Sequence, residues 1–172
     1  KHDIVPGANR AMLTLSDGSE IYLDSATAGT LAREGASVIS KTADGRIIYS
    51  ATNTNEPGRI VYNTMSTPRG GNYNLVLPDG SKVWLNAASS ITYPTVFTGG
   101  DRSVSITGEV YFEVEKDAAR PFIVKTIHES ITVLGTHFNV NAYTDEAAVK
   151  TSLLEGRVMV DQKILEPGQA YY

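Results

Sequence analysis

The sequence predicts an all-β fold, a twisted two-sheet β-sandwich of jelly-roll type, with a short β-solenoid as the alternative. Three observations lead to this prediction. Apolar and polar residues alternate along several stretches, as side chains do along a strand. Turn-forming pairs separate many of these stretches, at a spacing typical of sandwiches, barrels and short solenoids. A hairpin-like segment also occurs twice.

The clearest strand pattern is Val104–Glu115. One face carries Val104, Ile106, Gly108, Val110, Phe112 and Val114, and the other carries Ser103, Ser105, Thr107, Glu109, Tyr111, Glu113 and Glu115. This alternation predicts one face on a core and one in water. Ile131–Ala142 alternates less regularly, with Leu134, Phe138, Val140 and Ala142 on one side. Further β-rich runs are Arg46–Tyr49, Arg59–Tyr62, Pro121–Lys125 and Arg157–Val160.

Turn signals lie between these runs. Asp17-Gly18, Asp44-Gly45 and Asp79-Gly80 are typical of tight hairpins, which need a positive φ at the turn. Helical patterns are scarce. Three segments are interpreted as short helices of a turn or two or as loops: Ser25–Glu34, Lys116–Arg120 and Asp145–Lys150.

An internal repeat relates Leu13–Thr27 to Leu75–Ser89, at an offset of 75 − 13 = 62 residues. Seven of the fifteen aligned positions are identical, and five more pair similar residues. Each copy consists of an apolar strand end, an Asp-Gly-Ser turn and an apolar return strand. Because an isolated hairpin is marginally stable, we expect two equivalent hairpins that pack within one β structure.

We expect residues 1–172 to form a single domain. Residues 1–65 are the lead-in with the first repeat copy, and residues 66–172 are the core. Ser66–Asn72 resembles a connector, but neither half would bury much surface alone.

Composition excludes several classes of function. The formal net charge is −4 and no basic stretch offsets it, so nucleic acid and anionic membrane surfaces are unfavourable partners. The chain has no cysteine, which excludes disulfides, thiolate zinc sites and cysteine nucleophiles. No apolar run is long enough to cross a bilayer.

The acidic residues of the clearest strand do not predict an active site. Glu109, Glu113 and Glu115 share one face, and neighbours two apart on a strand lie roughly 6–7 Å apart. This spacing overlaps that of inverting glycosidases. Catalytic carboxylates, however, normally come from separate strands around a cleft, with one in an apolar pocket. We therefore interpret these three as a solvated acidic face.

The histidines do not predict a metal site either. A cupin-like β-barrel enzyme would need a His-x-His pair, but Asn139 stands where the second histidine would follow His137. His128 and His137 are the only histidines of residues 67–172, and a three-ligand site would have to recruit His2, Asp or Glu from far away. We expect a packed or hydrogen-bonded His137, with no metal and no cofactor.

The aromatic residues leave one alternative function open. Tyr22, Trp84, Tyr93, Phe97 and Tyr111 are interpreted first as core or cross-strand packing and second as a protein-contact patch. A platform of coplanar exposed rings would instead indicate an extracellular carbohydrate-binding β-sandwich.

Five ordered motifs then identify a family resemblance. TPRGG (Thr67–Gly71), LPDGSKVWLNAASSITYP (Leu77–Pro94), ITGEVYFEVEKDAARPFIV (Ile106–Val124), LGTHFNVNAY (Leu134–Tyr143) and LLEGRV (Leu153–Val158) occur in that order. Together they resemble the FecR domain of Bacteroidetes anti-sigma regulators. The lead-in VPGANRAMLTLSDGS (Val5–Ser19) is also similar to that family.

The resemblance implies a non-catalytic, protein-binding relay. Members are inner-membrane proteins whose cytoplasmic segment holds an extracytoplasmic-function sigma factor and whose FecR domain is periplasmic. The signal comes from the signalling domain of an outer-membrane TonB-dependent transporter. The sigma-binding segment, the membrane helix and the C-terminal region that usually meets the transporter are expected outside this chain. The residues of any contact with a partner are not assigned by the motifs.

Overall fold

The computed structural model describes residues 7–52 and 59–172. These ranges contain eighteen strands and no helix. The strands are β1 (Ala8–Asn9), β2 (Met12–Thr14), β3 (Glu20–Tyr22), β4 (Gly29–Glu34), β5 (Ser37–Lys41), β6 (Ile47–Ala51), β7 (Tyr62–Ser66), β8 (Gly71–Val76), β9 (Lys82–Leu85), β10 (Ser90–Pro94), β11 (Arg102–Glu113), β12 (Phe122–Lys125), β13 (Ser130–Val133), β14 (His137–Ala142), β15 (Lys150–Glu155), β16 (Val158–Val160), β17 (Lys163–Leu165) and β18 (Ala170–Tyr171). A membrane-spanning helix is accordingly not found in the described ranges.

The strands form one curled, mixed sheet that contains two ladders. The first ladder has the order β3-β2-β7-β10-β11-β12-β13-β16-β17. The second ladder has the order β4-β5-β6-β8-β9-β11-β14-β15-β18. Strand β11 belongs to both, and β1 lies parallel to the start of β8. Most pairs are antiparallel, but β11–β12 and β6–β8 are parallel.

The all-β prediction is confirmed. The jelly-roll detail is not, because from β2 onwards each ladder advances in chain order. A jelly roll is built from Greek keys, in which a later strand returns to lie beside an earlier one and reverses the order. The two-sheet sandwich and the short β-solenoid both stay predictions.

The alternation predicted around β11 is confirmed. Val104, Ile106, Gly108, Val110 and Phe112 are buried, whereas the residues between them are partly or fully exposed. The strand changes ladders in its middle, where Gly108 has a φ of 74°. The alternation continues through this bend, so the apolar face of β11 serves both ladders.

The core lies between the two ladders. Buried apolar residues from both ladders belong to one cluster. Within it, the ring of Phe112 stacks on Phe138 at 5.1 Å between ring centres, and it meets the edge of Phe122 from the first ladder at 5.9 Å. Aromatic pairs in these arrangements add to the stabilisation from burial alone.

Several local predictions need correction. The Ile131–Ala142 run is divided between β13 and β14, and Leu134 is 52% exposed instead of buried. Gly135 lies in the break between the two strands and packs so closely against Lys116 that a Cβ atom there would clash. Ser25–Glu34 contains β4 and not a helix. Of the Arg59–Tyr62 run, only Tyr62 lies in a strand.

The two repeat copies are equivalent hairpins in different ladders. In the first copy, Gly18 donates a backbone hydrogen bond to Leu15 at 2.9 Å, and Ser19 donates to the Asp17 carboxylate. The second copy, β8–β9, has the matching bonds from Gly80 to Leu77 and from Ser81 to Asp79. The turn glycines have φ values of 85° and 91°. The predicted positive φ at these turns is therefore confirmed.

Candidate functional site

A row of polar and aromatic side chains crosses the outer face of the second ladder. Asn74 on β8 is paired in register with Trp84 on β9, and Trp84 is paired with Tyr111 on β11. Tyr111 is paired in turn with Asn139 on β14. Each of these residues is half-buried and lies between buried neighbours along its own strand. Because strand side chains alternate between faces, the four side chains lie next to one another on the solvent side.

This row borders a groove of about 280 Å³, which we call the amide groove. Its polar lining consists of Asn9, Asn72, Asn74, Asn86, Asn139 and Glu109. Its aromatic wall is made by Trp84 and Tyr111, whose ring centres lie 5.4 Å apart with the ring planes tilted by 51°. The groove is therefore polar, with one apolar wall.

Glu109 anchors the floor of the amide groove. Asn139 Nδ2 donates to Glu109 Oε1 at 2.8 Å, and Asn86 Nδ2 donates to Glu109 Oε2 at 2.9 Å. Asn86 Oδ1 accepts from the Ala87 backbone N–H at 2.9 Å. Both carboxylate oxygens are thus occupied, and both amides are held in one orientation. Glu109 acts here as a hydrogen-bond acceptor that positions its neighbours.

The other two acidic residues of this region have separate surroundings. Glu113 is opposite Lys82 on β9 and His137 on β14 in the register of the sheet. Glu115 lies beyond the end of β11 and is exposed. Burial, with a further contribution from the Glu113 charge, raises the pKa of Tyr111. The three carboxylates are therefore spread along the outer surface, each with its own neighbours.

The histidines are also apart from one another. His137 Nδ1 lies 3.2 Å from Glu155 Oε2 on the surface, and 41% of the His137 side chain is exposed. His128 is in an exposed turn, and His2 lies outside the described residues. Across residues 7–52 and 59–172, no three His, Cys, Asp or Glu side chains are grouped as a metal ion would require.

The five aromatic residues do not form one platform. Tyr93 is fully buried and Phe97 packs against Phe122, with ring centres 6.3 Å apart. Tyr22 is exposed on β3 in the first ladder. Only Trp84 and Tyr111 come together, and their tilted rings are not coplanar.

The asparagines of the groove were not singled out from the sequence. The available signal was spacing, since Asn72 and Asn74 are two apart on β8. This spacing places both on one face of the strand.

A second exposed feature is the C-terminal edge of the sheet, formed by β17 in the first ladder and β18 in the second. Among the described residues, β17 pairs only with β16. Met159 on β16 is opposite Ile164 on β17, and these side chains are 43% and 66% exposed. An unpaired strand edge with exposed apolar side chains is suited to pairing with another chain.

A comparison with known protein families identifies the family of this chain. The family model for the FecR protein matches residues 63–159, which run from β7 to β16 and include the four strands that carry Asn74, Trp84, Tyr111 and Asn139. This chain belongs to the FecR family. The recognition made from the motifs is thus confirmed.

Two solved structures are similar to this FecR chain, both of a candidate anti-sigma factor from Parabacteroides distasonis ATCC 8503. One, at 2.50 Å resolution, is 36% identical with a TM-score of 0.62, covering 64% of this chain and 54% of that one. The other, at 1.65 Å, is 37% identical with a TM-score of 0.60, covering 62% and 52%. Among curated proteins no match is found.

The family match indicates a role for this chain, and the structural alignment covers part of the solved structures. FecR proteins are anti-sigma regulators, so this chain belongs to a regulatory, generally non-catalytic family with a signalling role. The alignment spans about half the length of the solved structures that it matches.

Proposed function

We propose that this FecR domain is the periplasmic sensor of an inner-membrane anti-sigma factor. It passes a signal from the signalling domain of an outer-membrane TonB-dependent transporter to an extracytoplasmic-function sigma factor. The work of the domain is protein binding and not catalysis. The observation that carries the proposal is the family match over residues 63–159, together with the similarity to a candidate anti-sigma factor.

The C-terminal edge is the proposed point of contact with the next component of the relay. A strand added beside β17 would use its free backbone groups, and its apolar side chains would pack beside Ile164. The same edge suits either the transporter signalling domain or the part of the full-length protein that binds it. The sigma factor and the inner membrane are reached through other segments of the full-length protein.

The strand shared by the two ladders supports the proposed relay. Strand β11 pairs with β10 and β12 in the first ladder and with β9 and β14 in the second. We propose that residues 1–172 respond as one domain, so that a partner bound at the edge of one ladder also positions the other.

The test uses the full-length protein in its host, with a reporter gene controlled by the sigma factor. Ile164→Glu places a charge on the proposed contact, because Ile164 is 66% exposed at the edge strand. We expect it to abolish induction and to weaken capture of the transporter signalling domain by at least about tenfold. Leu154→Glu is the matched control, since Leu154 is 57% exposed on β15 and is apolar too. We expect that variant to respond normally.

Two results would count against this proposal in different ways. Normal induction in Ile164→Glu would remove the C-terminal edge from the relay. Normal induction after deletion of the whole FecR domain would exclude the relay itself.

A further inference from the structure

We propose that the amide groove binds a short, neutral saccharide. This inference goes beyond the protein relay and does not depend on it, since the groove lies on the outer face of the second ladder and the proposed protein contact lies at the sheet edge. Three properties of the groove carry it: amide groups without a partner in the described part of the chain, a single carboxylate whose oxygens already accept hydrogen bonds, and an angled aromatic wall.

The groove presents hydrogen-bonding groups that have no partner within the described part of the chain. These are the side-chain amides of Asn72 and Asn74, the indole N–H of Trp84 and the Oδ1 atom of Asn139. An amide offers both donors and an acceptor. Such groups match hydroxyl groups, which donate and accept at the same atom. A ligand that carries several hydroxyl groups therefore suits this lining.

The charge of the groove excludes strongly charged ligands. Glu109 is the only acidic or basic side chain in the groove lining. Its two oxygens already accept hydrogen bonds from Asn86 and Asn139. An anion would be repelled by this carboxylate, and a cation would have to displace two amide donors. The chemistry thus favours a neutral polar ligand.

The aromatic wall and the volume restrict the size of the ligand. Trp84 and Tyr111 offer an apolar surface against which the C–H face of a sugar ring can pack. Their tilt of 51° does not suit the flat surface of an insoluble polysaccharide. The groove volume of about 280 Å³ lies near the lower limit for small-molecule sites. One or two sugar rings are the expected occupant.

An extended peptide is the main rival, because its backbone also donates and accepts hydrogen bonds. Proteins usually bind an extended peptide along a free strand edge. The amide groove instead lies across the faces of β8, β9, β11 and β14. Strands β9, β11 and β14 are paired on both sides, and the outer side of β8 meets β1 at Gly71 and Asn72 and β6 at Leu75. The geometry therefore favours a compact ligand over an added strand.

Trp84 provides a direct test because it is the only tryptophan in the chain. The purified domain is titrated with mannose, galactose, N-acetylglucosamine, cellobiose and maltose up to roughly 50 mM, where a Kd of millimolar order is measurable. We expect a saturable change in tryptophan fluorescence with at least one of them. The side-chain amide signals of the groove asparagines should shift in parallel in two-dimensional NMR spectra.

Two variants separate binding in the groove from general effects. Asn74→Ala removes an amide with no internal partner, and we expect saccharide binding to weaken by roughly threefold to tenfold. Asn141→Ala is the control, since Asn141 is on the same face of β14 as Asn139 but outside the groove lining, where its amide contacts Glu146 and Tyr143 in two long hydrogen bonds at the surface. It should bind the saccharide as the unmodified domain does. Both variants should unfold at temperatures close to that of the unmodified domain.

Three results would overturn the inference. The first is the absence of both fluorescence and NMR changes with every saccharide. The second is equal weakening by Asn74→Ala and Asn141→Ala. The third is a saturable response to a short uncharged peptide, titrated in the same way, with no response to any saccharide. None of them would affect the proposed relay, which is measured through capture of the transporter domain by the sheet edge.

Discussion

At the scale of residues, Gly108 determines the path of the longest strand. Its φ of 74° lies in the left-handed region, which glycine adopts without steric cost. A Cβ atom at this position would clash with Ser89 and lie 2.8 Å from the carbonyl oxygen of Ala88. The Ser89 hydroxyl accepts the Glu109 backbone N–H at 2.9 Å, which satisfies that group at the bend. The transfer of β11 between ladders therefore depends on a missing side chain.

We expect Gly108→Ala to lower the free energy of unfolding by about 2–4 kcal/mol, because backbone strain and a steric clash add together. Gly100→Ala is the control, since it has open space around the new Cβ atom and no positive φ. Its effect should stay within about 1 kcal/mol. Urea unfolding of the two variants measures both values. Equal stabilities would show that the bend tolerates a side chain.

At the scale of elements, the two repeat hairpins share a turn but differ in surroundings. In the β2–β3 hairpin, Asp17 is exposed. In the β8–β9 hairpin, Asp79 lies 2.7 Å from Arg102 Nη1, and the two side chains are 5% and 1% exposed. Arg102 also donates to the carbonyl oxygens of Glu115 and Arg120 at 2.9 Å each. The second hairpin is thus tied to the start of β11 by a buried ion pair.

We expect Asp79→Ala to destabilise the domain by about 3–5 kcal/mol, because it leaves the buried Arg102 charge without its partner. Asp17→Ala removes the same turn hydrogen bonds in the exposed copy and should have a much smaller effect. Thermal unfolding of the two variants compares equivalent positions of the repeat. Similar losses would mean that the turn, and not the ion pair, carries the stability.

At the scale of the whole molecule, a buried polar cluster joins the two ladders. The hydroxyls of Tyr49 on β6 and Tyr93 on β10 lie 2.7 Å apart. Asn63 on β7 donates to the Tyr49 hydroxyl at 3.0 Å. Burial raises the pKa of Tyr49 to about 12 and that of Tyr93 well above its usual range. The neighbouring Tyr49 hydroxyl adds to the shift at Tyr93.

This cluster predicts a loss of stability in alkali. Because folding raises both pKa values, the neutral hydroxyls stabilise the native state fully below pH 10.0, the ordinary tyrosine pKa. The contribution of Tyr49 is lost as the pH rises through its pKa of about 12, and that of Tyr93 as the pH rises well above the ordinary tyrosine pKa. The double variant Tyr49→Phe/Tyr93→Phe should be less stable at neutral pH but should lose stability less steeply in alkali. Urea unfolding at a series of pH values measures both slopes, and identical slopes would contradict the assignment.

Local features were predictable where their cause is local. The alternation of β11 follows from the two-residue period of a strand, and the Asp-Gly turns follow from the freedom of glycine to adopt a positive φ. The exposure of Leu134 was not predictable. Leu134 lies between β13 and β14, and the end of β13 is set by its pairing with β12 and β16, which are separate segments of the chain.

By itself, the sequence determined the all-β class, the hairpin repeat and the FecR motifs, because each depends on residues that are close together in the chain. The tertiary structure decided the strand order, the burial of Asp79 but not of Asp17, and the assembly of the amide groove. Asn74, Trp84, Tyr111 and Asn139 lie on four separate strands. Their side chains become neighbours only because strand pairing sets the register between them.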